Sequence, residues 1–204
     1  MPLSKWEPTP KILPSDTHRG EADPSTIYMA AGSTLSAWEH LEAGLNKFFQ
    51  LMCETPSFAA CRAYGVIESS YQRAAMLRAA STAFFAAKQP FDAEHDSDIK
   101  ALLAAYENGQ KYRNNIAHGV AVGFDLSNGV HSVYFLCVRP LILPRKWPRS
   151  THTRSICWAQ AIGIAQKDLL HYRERFVSLV SETMRLVHSV NGKHKVLASG
   201  QFHP

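Results

Sequence analysis

The chain predicts an all-α fold, four main helices packed as a bundle with one small β-hairpin inserted before the last. Three observations lead there. Apolar residues recur three and four positions apart over long stretches, the period of a one-faced helix. A single segment switches to strict alternation, and it does so on both sides of an Asn-Gly pair. Each helical stretch carries one apolar stripe that must be buried against another, so the helices pack on each other through mostly short connections. With 204 residues the chain can form one sizeable core, burying around 70% of the unfolded surface at this length.

Residues 1–32 hold Pro2, Pro8, Pro10, Pro14 and Pro24 among scattered charges, which predicts an extended or disordered N-terminal segment. The bundle is expected over 33–190. Its first helix starts near Ser33, with Leu35, Trp38, Leu41, Leu45, Phe48, Phe49 and Met52 in period and Ser36 with Glu39 as a capping box. A second helical stretch covers about 57–87, broken near Gly65, its stripe being Val66, Ile67, Tyr71, Ala74, Leu77, Phe84 and Phe85; Pro90 ends it. The third begins near Asp96 and Asp98, carboxylates suited to a helix N-terminus, and runs through Ile99, Leu102, Leu103 and Tyr106, with Gly109 as a weak point.

After Gly119 the period becomes two. Val120, Val122, Phe124 and Leu126 alternate, Asn128-Gly129 supplies a two-residue turn, and Val133, Phe135 and Cys137 return. The hairpin, at about 120–138, then pairs residues whose numbers sum to 257, so that Val122 meets Phe135 and Phe124 meets Val133 on one apolar face. Extending this register sets Arg139 opposite His118 as a second phosphate-binding cation. A basic loop, 139–154, holds five Lys/Arg, no acid, three prolines and Trp147; Arg145, Lys146 and Trp147 suit single-stranded nucleic acid, although a lid role is equally open. The last helix is expected over about 155–190, irregular at Gly163, with Leu169, Tyr172, Phe176, Leu179, Val180, Thr183 and Val187 in period. Asn191-Gly192 caps it, leaving 191–204 as a tail.

Several function classes lose their support. There is no apolar run near 18 residues, and Met1–Glu7 has no apolar segment of signal-peptide type, so a cytoplasmic protein with no membrane partner is expected. Cys53, Cys61, Cys137 and Cys157 have no C-x-x-C spacing, and the histidines form no H-E-x-x-H. The glycine-rich phosphate loop is missing too, so neither a metal nor another cofactor is expected. Charge is uneven: residues 1–100 carry nine Lys/Arg against twelve Asp/Glu, whereas 101–204 carry thirteen against five. The basic half suits a polyanion partner, since Lys and Arg supply most non-specific affinity for nucleic acid; a merely solubilising surface is the competing reading.

The stretch richest in chemistry is Arg113-Asn114-Asn115-Ile116-Ala117-His118-Gly119, at the close of the third helix. A guanidinium offers paired donors to phosphate oxygens, and an imidazole titrates near neutrality. On an ideal helix Arg113 and His118 point about 140° apart and lie about 7.5 Å apart along the axis, but Asn114 and His118, four apart, share a face that the arginine stem can reach.

Tyr112-Arg113-Asn114-Asn115-Ile116-Ala117-His118-Gly119 resembles the signature of the HEPN superfamily, an Arg, four to six intervening residues and then His, commonly with Asn straight after the Arg. The resemblance covers roughly 33–190 and implies a bundle of four or five helices. It further implies metal-independent RNA cleavage, with His118 as general acid/base and Arg113 as the phosphate-stabilising cation, in a cleft shared by two protomers of a homodimer. Asn114 would orient the imidazole or a phosphate oxygen; Asn115 and Tyr112 are further substrate-binding candidates. Attack by the ribose 2′-hydroxyl then yields a 2′,3′-cyclic phosphate and a 5′-hydroxyl. The family is rich in toxins and antiviral defence effectors, some held by an antitoxin or regulatory partner. Members controlled by a nucleotidyltransferase antitoxin often carry Tyr two residues after the motif His, where this chain has Val120.

Two other readings stay open. A histidine followed by glycine stabilises a helix end through the dipole, and the arginine can pair with Glu107. Alternatively the motif serves a non-catalytic regulatory module that binds RNA, a nucleotide or a protein.

Overall fold

The computed structural model describes residues 20–54, 58–87, 92–125, 132–138 and 162–199. The protein is mostly helical with a small antiparallel sheet. In chain order the described elements are α1 (Pro24–Met52), α2 (Phe58–Gly65), α3 (Ser70–Ala86), α4 (Ala93–Ala117), β1 (Val120–Asp125), β2 (Ser132–Val138), β3 (Ile162–Ile164) and α5 (Gln166–Ser199). They fall into two compact units. One takes in the described residues of 37–110 and from 175 onward; the other takes in those up to 36 together with those of 111–174.

Among the described residues, the first unit contains helices and no strand. Trp38 of α1 is 1% exposed, stacks on Tyr106 of α4 with ring centroids 5.0 Å apart, and meets Phe176 of α5 edge-on at 5.1 Å. Leu41, Leu45 and Phe48 continue the α1 stripe, and Ile99, Leu102 and Leu103 that of α4, all buried as their period requires. The predicted break near Gly65 separates α2 from α3, and Ser69 caps α3 by accepting from the Gln72 amide at 3.4 Å. Val66 and Tyr71, expected in the stripe, are 75% and 67% exposed; the break takes Val66 out of any helix and leaves Tyr71 in the first turn of α3.

One polar group crosses this core. Glu42 is buried, accepts from the Tyr106 hydroxyl at 2.7 Å through Oε1, and pairs through Oε2 with Arg73 Nη1 at 3.0 Å. Arg73 Nε donates to the Ile67 carbonyl at 2.7 Å. One acid thus joins α1, α3 and α4. Its charge and burial together hold the Tyr106 and Tyr64 hydroxyls protonated well beyond the ordinary tyrosine range, with burial the larger cause.

The second unit contains the sheet, ordered β1-β2-β3 and antiparallel throughout. The register is the one the Asn-Gly turn predicts, Val122 opposite Phe135 and Phe124 opposite Val133; the turn residues themselves lie outside the described residues. Phe135, Cys137 and Ala165 form an apolar cluster with Val122 and Val133 against it, so these alternating residues share one packed face; Val120, in the same period, is 58% exposed at the start of the strand, and Leu136 on the other face is buried as well.

Four boundaries differ from the sequence expectation. The segment 1–32 is not extended throughout, because α1 begins at Pro24, where a fixed φ suits the first helical position; Asp23 accepts from the Ser25 amide at 2.9 Å and from the Ser25 hydroxyl. Ile27, Ala30, Ala31 and Thr34 are its buried face, a run of small residues with too little apolar contrast to stand out. Ser36 and Glu39 therefore lie inside the helix and form no capping box at its start. Ahead of it, Glu21 pairs backbone-to-backbone with Tyr134 in both directions, at 3.0 and 2.7 Å, on the edge of β2 opposite β1, where β3 pairs only with Leu136–Val138.

The third helix starts at Ala93, three residues earlier than expected and capped by Asp92; Asp96 does lie in its first turn, and the helix runs unbroken through Gly109, which is buried. Asp96 also holds Lys100, and Asp98 holds Arg185. The stretch read as the start of the last helix contains β3, an Ile-Gly-Ile alternation too short to register as a period. Helix α5 begins at Gln166, with Asp168 reaching back to the Ala165 amide at 3.3 Å. At its other end it passes through Asn191-Gly192 to Ser199, so this pair caps nothing and most of the expected tail is helical.

Candidate functional site at the junction of α4 and β1

The motif lies within the second unit, where α4 ends and β1 begins. Its orientation follows from Ile116, which is 2% exposed. Tyr112 shares its side of the helix and lays its ring on Tyr172 of α5, centroids 4.8 Å apart. At roughly 100° per residue, anchoring Tyr112 and Ile116 inward turns Asn114 and His118 to the opposite side. His118 is accordingly exposed, while Arg113, Asn114 and Asn115 are half-buried.

The guanidinium does reach round the helix. Arg113 Nη1 donates to Asn114 Oδ1 at 3.3 Å, bringing the cation toward the side chain that shares a face with His118. With Oδ1 accepting from the cation, the Asn114 amide group presents its N–H donors, so cation and amide offer donors together. That pairing is what an anionic oxygen requires. Glu107, the acid considered as a partner for Arg113, holds Arg78 at 2.8 Å.

The helix closes by hydrogen bonds from the His118 amide to the Asn114 carbonyl at 3.1 Å and from the Gly119 amide to the Ile116 carbonyl at 3.2 Å. The second is a tightened i to i−3 bond. Gly119 is not in the left-handed conformation that usually makes glycine a helix terminator; what it provides is space. A Cβ there would lie 2.6 Å from Leu136 Cγ, and Leu136 is buried beneath the junction. The chain passes from helix to strand across His118 and Gly119 alone because the glycine has no side chain, and this places His118 in the turn itself.

Tyr112 is more a packing residue than a ligand: its ring is spent on Tyr172, and burial raises its hydroxyl above the usual range, keeping it a neutral donor. Arg139, Arg145, Lys146 and Trp147 lie outside the described residues. Sequence reasoning missed Tyr28 of α1, half exposed, whose hydroxyl accepts from the Ala121 amide at 3.2 Å, two residues beyond Gly119. It stands in the stretch read as an extended lead-in, and the capped Asp-Pro start of α1 is the signal that would have found it.

Among the described residues, no group of three or more His, Cys, Asp or Glu is placed to hold a metal ion, and no helix is long and apolar enough to cross a membrane. No family model matches the chain, nor does any curated protein or solved structure.

Proposed function

We propose that the protein is a HEPN-type, metal-independent endoribonuclease that acts as a homodimer, with RNA as substrate and a toxin or defence effector as the biological setting. The observation that carries this reading is the pairing of Arg113 with Asn114 beside an exposed His118 on the same helix face. Arg113 and Asn114 donate to the phosphate oxygens, whose negative charge grows as the phosphorane forms. His118 exchanges a proton with the attacking 2′-hydroxyl or with the leaving 5′-oxygen. One imidazole serves one of these transfers at a time, and the second comes from the His118 of the other protomer. The products are a 2′,3′-cyclic phosphate and a 5′-hydroxyl; DNA, without the 2′-hydroxyl, is not cut.

The test incubates purified protein with mixed RNAs in chelator and identifies the product ends. His118→Ala is expected to lower cleavage by about 10²–10⁴-fold, the usual contribution of a general acid or base. Arg113→Ala is expected to cost on the order of 10²–10³-fold, as for loss of one charge-stabilising donor. Both variants should keep the wild-type melting curve. Cleavage that depends strictly on magnesium would overturn the mechanism, and no cleavage of any RNA would leave the motif as a binding surface.

A further inference from the structure

Within the first unit, Asp92, His95 and Ser189 are linked in series. Asp92 Oδ2 lies 2.7 Å from His95 Nδ1, and His95 Nε2 lies 2.8 Å from Ser189 Oγ. A carboxylate only accepts, so Nδ1 carries the proton; in the neutral imidazole Nε2 is then the acceptor and the serine hydroxyl donates to it. Asp92 and His95 are buried, at 4% and 7% exposure, whereas Ser189 is exposed on α5.

Local structure explains why the imidazole is held this way. Asp92 caps α4, its carbonyl accepting from the Asp96 amide at 3.1 Å and its Oδ1 facing the His95 amide at 3.5 Å. The cap and the imidazole thus use the same carboxyl group, one oxygen each. An acid, a base and a hydroxyl in this order, the hydroxyl carried by an exposed residue, is the arrangement that activates a serine.

We propose that Ser189 is a nucleophile for activated carboxylic esters, with His95 as general base and Asp92 as the positioning residue. Ser189 Oγ bonds to the acyl carbon as its proton passes to His95 Nε2. The bond from that carbon to the leaving alkoxide or phenoxide then breaks, and the leaving oxygen takes the proton from His95. Water, deprotonated by the same nitrogen, later releases the carboxylic acid and restores the hydroxyl. Because Ser189 lies inside α5, its own amide belongs to the helix ladder and is not turned to the acyl oxygen. That slows both steps, but an activated ester expels its phenoxide more readily than the acyl-serine expels the serine alkoxide, so acylation outruns release and one acyl group accumulates per chain.

The experiment mixes the full chain with p-nitrophenyl acetate, follows the nitrophenolate, and locates the acetyl group by peptide mass spectrometry. A burst approaching one equivalent, with the acetyl group on Ser189, is the expected result. Ser189→Ala removes the burst, and His95→Gln slows it by about 10²–10⁴-fold. Asp92→Asn lowers the rate at saturating ester without changing the ester concentration that gives half that rate, a split that loss of a structural cap alone would not produce. Equal bursts from wild type and Ser189→Ala, or acetyl groups only on lysines, would overturn the proposal. Ser189→Ala decides the matter even if the two buried variants fail to fold, because residue 189 is exposed and alanine favours the helix.

Discussion

At the scale of single residues, the candidate site depends on a side chain that is absent. Gly119 is crowded by Leu136, and a methyl group there has to displace a buried leucine at its branch point. Gly119→Ala is expected to destabilise the protein by about 1–3 kcal/mol, the usual range for overpacking, and to lower RNA cleavage by shifting His118. Combining it with Leu136→Ala relieves the crowding, so thermal melts of the double variant should show less than the summed loss of the two singles. Fully additive losses would show that the two residues do not interact. The glycine was visible in the sequence as the end of a helix, but its reason was not: the spacing shows where a helix stops and not what lies beneath the stop.

At the scale of elements, Glu42 links α1, α3 and α4 through its contacts with Tyr106 and Arg73. Replacing it with Ala leaves the Arg73 charge and the Tyr106 hydroxyl without that acceptor inside the unit, at an expected cost of about 3–5 kcal/mol. Glu42→Gln keeps the acceptor for Tyr106 and should lose less; urea denaturation ranks the two variants, and a Glu42→Gln protein as stable as wild type would show that the charge pair contributes nothing. Long apolar stripes were the legible part of these elements. Trp38 to Phe48 and Ile99 to Tyr106 are buried as their spacing requires, and the hairpin register follows from an Asn-Gly pair. What failed were elements with little apolar contrast: the Ala-, Ser- and Thr-rich first turns of α1 and the three-residue β3, whose membership in a sheet depends on β2 beside it.

At the scale of the whole molecule, protons report on both units. Burial raises the Cys137 thiol from 9.0 to about 11, and it raises the Tyr64 and Tyr106 hydroxyls as well. All three bind their protons more tightly folded than unfolded. Their contribution is complete below pH 9, where the unfolded chain also keeps its protons, and is lost as pH climbs from 9 through the folded values. For Cys137 alone the loss by pH 11 is on the order of 2–3 kcal/mol. Denaturation midpoints should therefore hold up to about pH 9 and then fall, and Cys137→Ala should flatten the fall. A midpoint that rises between pH 9 and 10.5 would contradict the burial of these groups. By itself, the sequence determined that the protein is mostly helical, where its long stripes lie, how its hairpin pairs, and that Arg113, Asn114 and His118 stand within two turns of one another, because these are matters of period and spacing along a chain. Only the tertiary structure decided which way that group faces, what closes the helix behind it, and that Asp92 and His95 meet a serine 94 positions away, because rotation about a helix axis and contact across a core are set by whatever packs on the other side.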